Sequence, residues 1–421
     1  MRPALSALPA LAVLLLGVAP GDAAPETPRF SETWRFVQPG LDVEAIVPRP
    51  DGGLLVVGEF EGPLTLAGGR ALTPRGDDDI ALLTLDGQGR VKAAHVLGGS
   101  GAEAVGDVAL IDGRLLLALS TRGTLEVGQR TVTAPPGESA YLPGMAGVVV
   151  ALAADGRPEA VLVEVAEASN LRLAPAPGGF VLGHDRDRVL DGPETSTVTR
   201  YAGAKQTWSR TFEGVDLMRL DVTRGALYVA SGGRNRLDVR PLNPDTGADA
   251  GPPTTLPTPF SGDRGEILAL LDGPKGLRIV GYSGRPPVRT AEGRTESHSI
   301  EPFALPVGGD AKARQQIVDA VAGVVAVGRL DGALATVIDV IHKGPRYGGV
   351  SPPHAGVWLT IGLGPAQTRT LLVGRGEGAP ATGVGYISPS TGSLIGPKHI
   401  TLLGRCDDRG DTGCVVRIGL R

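Results

Sequence analysis

Short apolar runs of about five to eight residues alternate along the chain with clusters of Gly, Asp and Pro, the spacing of strands and tight turns rather than of helices. The stretch Asp51-Gly52-Gly53-Leu54-Leu55-Val56-Val57-Gly58-Glu59-Phe60 sets the pattern, a turn pair feeding a run of β-formers. Variants recur as Asp112-Gly113-Arg114-Leu115-Leu116-Leu117, Gly178-Gly179-Phe180-Val181-Leu182-Gly183, Arg224-Gly225-Ala226-Leu227-Tyr228-Val229, Lys275-Gly276-Leu277-Arg278-Ile279-Val280-Gly281 and Ala322-Gly323-Val324-Val325-Ala326-Val327-Gly328. A strand unit that recurs at roughly 47–64 residues predicts a repeat fold.

Each unit holds four strands, a to d. The first has a at 44–47, b at 54–60, c at 80–85 and d at 91–97. The second has 105–111, 115–120, 147–152 and 159–165; the third 171–173, 180–183, 197–201 and 207–212. The fourth has 217–222, 226–230, 236–240 and a Pro-rich d at 254–260; the fifth has 266–271, 277–282, 300–305 and an indistinct d before Ile317. The sixth is placed at 317–321, 324–328, 357–361 and 368–373. The seventh offers a at 383–387, b at 399–403 and c at 414–420, with no d after it. Thr33-Trp34-Arg35-Phe36 is an unassigned strand at the other end, similar to the third d strand, Thr207-Trp208-Ser209-Arg210-Thr211-Phe212. A ring whose first strand completes its last sheet removes the exposed edge of an open array. The expected fold is therefore all-β: a single β-propeller of about seven four-stranded blades, closed by the N-terminal strand.

The unit Trp-x-x-Phe, an apolar strand, Asp-Gly-Gly with a strand ending Val-x-Gly, then Asp-x-x-Ala-x-x-x-Leu-Asp-x-x-Gly resembles the repeat of secreted bacterial β-propeller proteins. Residues 34–89 carry the match; later units share parts of it. The resemblance implies the fold and brings no catalytic residues.

Composition adds three points. Gly 63 and Pro 35 in 421 residues, beside 42% hydrophobic residues, describe turn punctuation in a globular chain rather than disorder. A net charge of -4 and 4% aromatics supply neither the basic field nor the stacking platforms that nucleic acid needs. Met1-Arg2 followed by an apolar run from Ala4 to Val18, with Gly21 and Ala23 beyond it, predicts a signal peptide over 1–23 and a β-propeller domain over 24–421. The apolar run is too short to span a membrane, and no transmembrane segment or lipid-modified cysteine is expected. The mature protein is expected to be secreted or periplasmic, and a monomer.

The two cysteines, Cys406 and Cys414, fit a disulfide across a hairpin in an oxidising compartment. A metal site there would lack neighbouring His.

Connection length distinguishes the two faces. The a-to-b and c-to-d turns are tight, whereas the b-to-c connections at 61–79, 128–146, 283–299, 330–356 and 405–413 are long and unlike one another. Variable loops on a rigid scaffold are where binding resides. The densest set of donors and aromatics there is His342, Lys343, Arg346, Tyr347, His354 and Trp358, which fits an anionic or sugar ligand, against the plainer reading of a solvated loop. Asp77-Asp78-Asp79 offers oxygen ligands for calcium, but consecutive carboxylates alternate in direction along an extended chain and favour a turn role. Arg409-Gly410-Asp411 spells an adhesion tripeptide that a charged hairpin tip explains without a partner. Histidines at 95, 184, 298, 342, 354 and 399 lack metal-ligand spacing, and no nucleophile elbow, phosphate loop or dinucleotide fingerprint occurs. No cofactor or metal is implied. Three functions follow: a binding module for a protein or glycan of the cell envelope, a polysaccharide-acting hydrolase or lyase with acidic residues near the propeller axis, or a purely structural module of a larger surface assembly.

Overall fold

The computed structural model describes residues 30–137, 144–186, 195–233, 236–257, 266–271, 277–284, 288–289, 295–296, 300–307, 315–316, 321–330, 333–342, 356–361, 368–374, 388–389, 393–396, 398–406 and 412–420. Among them the regular structure is all β, and no helix is long and apolar enough to cross a membrane. Six four-stranded sheets, one five-stranded sheet and three two-stranded ribbons account for the strands.

Each sheet is an antiparallel meander in chain order. The first runs Asp42–Pro48, Leu54–Phe60, Asp79–Leu85, Val91–Leu97; the second Glu103–Ile111, Arg114–Thr121, Ala146–Leu152, Pro158–Ala166. The third runs Ala168–Ala176, Gly179–Arg186, Thr195–Ala202, Lys205–Glu213; the fourth Asp216–Thr223, Ala226–Gly233, Arg236–Leu242, Thr254–Pro257. The fifth runs Glu266–Leu271, Arg278–Gly284, Ile300–Pro306, Gln315–Gln316; the sixth Val321–Leu330, Ala333–His342, Gly356–Ile361, Thr368–Gly374. In the seventh, Ser388–Pro389 and Leu394–Ile395 both pair with His399–Arg405, which pairs with Thr412–Leu420. Its outer strand is Phe30–Pro39, in register from Phe30↔Leu420 to Pro39↔Thr412. The expected pairing of the first strand with the last sheet is thus present.

The first strands touch in succession. Asp42–Pro48 contacts Glu103–Ile111, which contacts Ala168–Ala176, and so on through Asp216–Thr223, Glu266–Leu271 and Val321–Leu330 to Leu394–Ile395; His399–Arg405 and Thr412–Leu420 return to Asp42–Pro48. This stacking explains why the middle strands read as unbroken apolar runs. Alternate residues of one strand enter different cores: Leu54, Val56 and Phe60 pack with Phe36, Leu403 and Val415 of the seventh sheet. Leu55 and Val57 pack with Leu117, Leu119, Val148 and Val150 of the second. A strand covered on both faces has no polar side to show.

Two tryptophans mark equivalent outer strands. The Trp34 ring of the seventh sheet lies on Gly89 in the first sheet's c-to-d turn, where a Cβ would come within 2.6 Å of it. The Trp208 ring of the third sheet lies in the same way on Gly247 of the fourth, a Cβ there coming within 2.8 Å. Both glycines have positive φ, so the turn geometry and the ring's close approach require the same residue.

Two expectations change. In the sixth sheet, 324–328 is not the second strand but part of the first, Val321–Leu330; the second is Ala333–His342, with Leu330↔Ala333 at the reversal. Ala322-Gly323 looked like a turn because Gly precedes a β-branched run. Gly323 instead lies within the strand opposite Asp339, and the chain reverses between Leu330 and Ala333, where the sequence reads Asp-Gly as it does at 51 and 112. In the seventh sheet the described first-strand pieces are Ser388–Pro389 and Leu394–Ile395, and the segment expected at 383–387 lies outside the described residues.

Cys406 and Cys414 form a disulfide with Cα atoms 5.8 Å apart. Closing so small a loop contributes roughly 2–3 kcal/mol in the chain-entropy model. Phe36→Ala, which empties a side chain 7% exposed in the shared core, should cost about 3–5 kcal/mol. Deleting the chain through Phe36 should cost more, because the seventh sheet loses its outer strand. Urea unfolding checks both; a truncated chain with the midpoint of the full one contradicts the pairing.

Candidate functional site

The connections at the end of the sheets where b meets c divide into two kinds. In the first two sheets they are consumed by ribbons, Leu64–Thr65 with Ala71–Leu72 and Thr124–Val127 with Arg130–Thr133. Leu64, Leu66 and Leu72 enter one inter-sheet core and Leu125, Val127 and Val132 the next, so these ribbons are packing elements rather than free loops. The Gln38 side-chain amide donates to Thr65 O (3.3 Å) and ties the first ribbon to the N-terminal strand. The glycine loop at 98–101 is held the same way: Gly99 bridges Leu125, and Glu126 N–H donates to Gly98 O (3.3 Å).

The expected binding residues are distributed differently from a single loop. His342 ends the strand Ala333–His342, with its backbone opposite Val321. Trp358 lies in the strand Gly356–Ile361, between Ile338 and Leu371. The connection is therefore 343–355 rather than 330–356, and it carries Lys343, Arg346, Tyr347 and His354. Those four, with Arg409-Gly410-Asp411 and His298, lie outside the described residues.

The described part of this end carries a constellation of carboxylates that sequence reasoning treated as turn residues or did not single out. Four consecutive inter-sheet boundaries have a carboxylate on one sheet accepting a backbone N–H from the first strand of the next. Glu59 Oε1 accepts from Val105 (2.7 Å), Asp107 Oδ2 from Leu173 (2.8 Å), Asp185 Oδ1 from Leu217 (2.9 Å), and Asp221 from Leu270. The first strands of sheets one to six each carry a register shift near the start, at Val43/Ala45, Val105/Asp107, Ser169/Arg172, Leu217/Arg219, Ile267/Ala269 and Val324/Ala326. The latched amides lie at these bulges or just after them, where the ladder is disturbed. Asp185 has two further donors, Ser196 Oγ (2.6 Å) and Asn170 Nδ2 (2.7 Å). His184 is buried, and that burial lowers its imidazole below the ordinary range.

Asp79 closes the Asp77-Asp78-Asp79 run as a buried structural acid. Its carboxylate accepts Arg75 N–H (2.7 Å) and Gly76 N–H (3.3 Å), and Gly98 leaves room for it, since a Cβ there would lie 2.2 Å from the carboxyl carbon. Among the described residues no group of three or more His, Cys, Asp or Glu is arranged to hold a metal ion. Glu103, 1% exposed, accepts Thr121 Oγ1 (2.8 Å) and Gly99 N–H (3.3 Å) and shares a hydrogen bond with Asp79. Burial, with the adjacent Asp79, pushes its carboxyl up to about 8 despite the lowering effect of Thr121. Two carboxyls in contact hold one proton between them.

Three more acids lie on or beside the first strands and are pushed up chiefly by burial. Glu44 rises to about 7, with Glu59 and Asp42 adding to the effect. Asp107 and Asp221 rise as well, opposed by the guanidinium of Arg219. Glu44 is exposed to solvent on the first strand, between Asp42 and Glu59.

No family model matches the sequence, and no curated protein matches it either. Among solved structures the chain is similar to the β-propeller domain of the Trilobed protease from Pyrococcus furiosus, at 10% identity and TM-score 0.46 over 90% of this chain and 93% of that one. It is similar to the Dos1 propeller at 9% identity and TM-score 0.47, over 93% and 95%. It is also similar to the Cps50 (Swd1) β-propeller domain of Myceliophteria thermophila at 9% identity and TM-score 0.46, over 93% and 100%.

The Glu103 carboxyl, raised from an ordinary 4.5, keeps its proton in the folded state up to about pH 8, whereas the unfolded chain releases it above about 4.5. The stability it brings is complete below the lower value and is lost as pH rises through the upper one. Glu103→Gln mimics the protonated form, so thermal melts should show wild type losing stability between about pH 5 and 9 and the variant losing distinctly less. Parallel profiles for the two proteins would contradict the shared proton.

Proposed function

We propose that the chain is a closed β-propeller of seven blades, exported by cleavage of residues 1–23, that acts as a monomeric binding module for a protein or glycan of the cell envelope. The observation that supports this reading is the unequal use of the two ends of a stacked, mutually latched set of sheets. At one end the a-to-b turns and the c-to-d turns of the first three sheets are short, as at Asp86–Arg90 and Ala153–Arg157, each closed by paired backbone hydrogen bonds, while the c-to-d connections of the fourth and fifth sheets, 243–253 and 307–314, are longer. At the other end the connections differ in length from sheet to sheet, from the two residues between Gly233 and Arg236 to the ribbon-bearing stretch between Thr121 and Ala146. A rigid frame with one varied rim suits recognition. The binding group on that rim is Lys343, Arg346, Tyr347 and His354, flanked by His342 and Trp358 at the strand ends.

A second reading has its own support. Glu44, Asp107 and Asp221 lie on first strands, which face the axis in a closed ring, and a carboxyl raised to about 7 suits a general acid acting on polysaccharide.

One panel separates the two. The mature chain is titrated with polysaccharides and purified envelope proteins of its source, and each saccharide is also assayed for new reducing ends. On the binding reading, Tyr347→Ala with His354→Ala weakens association by about tenfold or more with the melting temperature almost unchanged, and no reducing ends appear. Trp358 is left intact, since a strand residue would confound the test. Reducing ends that vanish in Glu44→Gln would replace this reading by the enzymatic one.

A further inference from the structure

A surface groove of about 500 Å³ runs between the outer edges of the first two sheets. Its wall comes from four separate segments: Arg70, Leu72 and Arg75 after the first ribbon, Ala94 to Val96 on the first sheet's outer strand, Glu126 and Gly128 on the second ribbon, and Arg157 and Pro158 at the second sheet's last turn. Leu72 and Ala94 are buried beneath the groove, and half-buried Val96 and Pro158 supply its apolar surface. The rim is cationic. Three guanidinium groups reach it from two segments, Arg70 and Arg75 from the first and Arg157 from the second sheet's last turn, and Glu126 is the carboxylate among the lining residues.

The three arginines are held without being used up. Arg70 donates from Nη2 to the carbonyl of Ala94, which fixes its guanidinium against the outer strand. Arg75 pairs with Glu126 at 3.3 Å, with side chains 49% and 60% exposed, and Arg157 with Glu159 at 3.6 Å, 58% and 46% exposed. Such solvated single contacts contribute little and yield to a better oxyanion. His95 adds an imidazole whose Nε2 is buried without a hydrogen bond, its nearest acid being Asp155 Oδ2 at 3.6 Å.

We propose that this groove binds an acidic saccharide, its carboxylate or sulfate held by Arg75 and Arg157 beside Arg70 and its ring laid against Val96 and Pro158. The guanidinium fork matches a planar or tetrahedral oxyanion in two parallel hydrogen bonds. The volume lies in the range of small-ligand sites. The apolar faces of Val96 and Pro158 distinguish a sugar acid from a bare inorganic anion, which has no face to lay there. The site is separate from the connection at 343–355, so either proposal can fail alone.

The test uses the mature full-length chain, calorimetry, and three probes: oligogalacturonate, a neutral malto-oligosaccharide and inorganic sulfate. The expected result is saturable binding of oligogalacturonate that weakens with added salt, while the neutral sugar gives no heat and sulfate binds far more weakly. Arg75→Ala and Arg157→Ala, both exposed positions, should each weaken oligogalacturonate binding by about tenfold, the loss of one charge-assisted hydrogen bond. Both should melt with wild type, and Tyr347→Ala with His354→Ala should leave this binding intact. Unchanged affinity in the two arginine variants, equal binding of the neutral sugar, or sulfate binding as tightly as the oligomer would each overturn the assignment, as would the absence of any oligogalacturonate binding.

Discussion

The antiparallel pairing of Phe30–Pro39 with Thr412–Leu420 joins residues almost four hundred positions apart, and much of the molecule depends on it. It gives the seventh sheet its outer strand, and it brings Phe36 into a core that also holds Leu54, Val56 and Phe60 of the first sheet and Leu403 and Val415 of the seventh. Trp34, on the same strand, rests on the first sheet's Gly89 turn, and Arg405 at the far end of the seventh sheet pairs with Asp42 at 2.8 Å. A contact of such long separation in sequence carries a large closure entropy, so it persists only because several cores and ladders gain from it together.

Between sheets the cohesion is of two kinds. Apolar side chains from alternate positions of each middle strand fill the space on either side, which contributes bulk stability without fixing register. Carboxylates at the bulges fix register: Glu59, Asp107, Asp185 and Asp221 each aim at one amide of the next sheet. The same latches place acids on the first strands, where burial raises Glu44, Asp107 and Asp221. Latching carboxylates and raised acids thus fall close together at this end.

Much of this was legible in the sequence because strand alternation and Asp-Gly turns are local signals. The kinship of Thr33-Trp34-Arg35-Phe36 with the Trp208 strand, visible as a short match, corresponds in space to two rings on two turn glycines. The sixth unit misled because Gly323 and Gly332 are equally good turn residues locally, and only the ladder between Val321–Leu330 and Ala333–His342 selects the second. The ribbons at 64–72 and 124–133 were hidden because an apolar residue in a long polar connection looks incidental until the inter-sheet space it fills is known. The acid pair Asp79 and Glu103 and the arginine groove could not be read at all, since their members come from segments that only the stacking of two sheets brings together.

The central claim, that the first strand closes the ring, is tested most directly by native-state hydrogen exchange resolved along the chain. The account predicts that the amides of Glu32 to Val37 exchange as slowly as those of Cys414 to Ile418, because both open only when the seventh sheet opens. Exchange of the Glu32 to Val37 amides at the rate of an unstructured tail, with Cys414 to Ile418 still protected, would show an open array and contradict it.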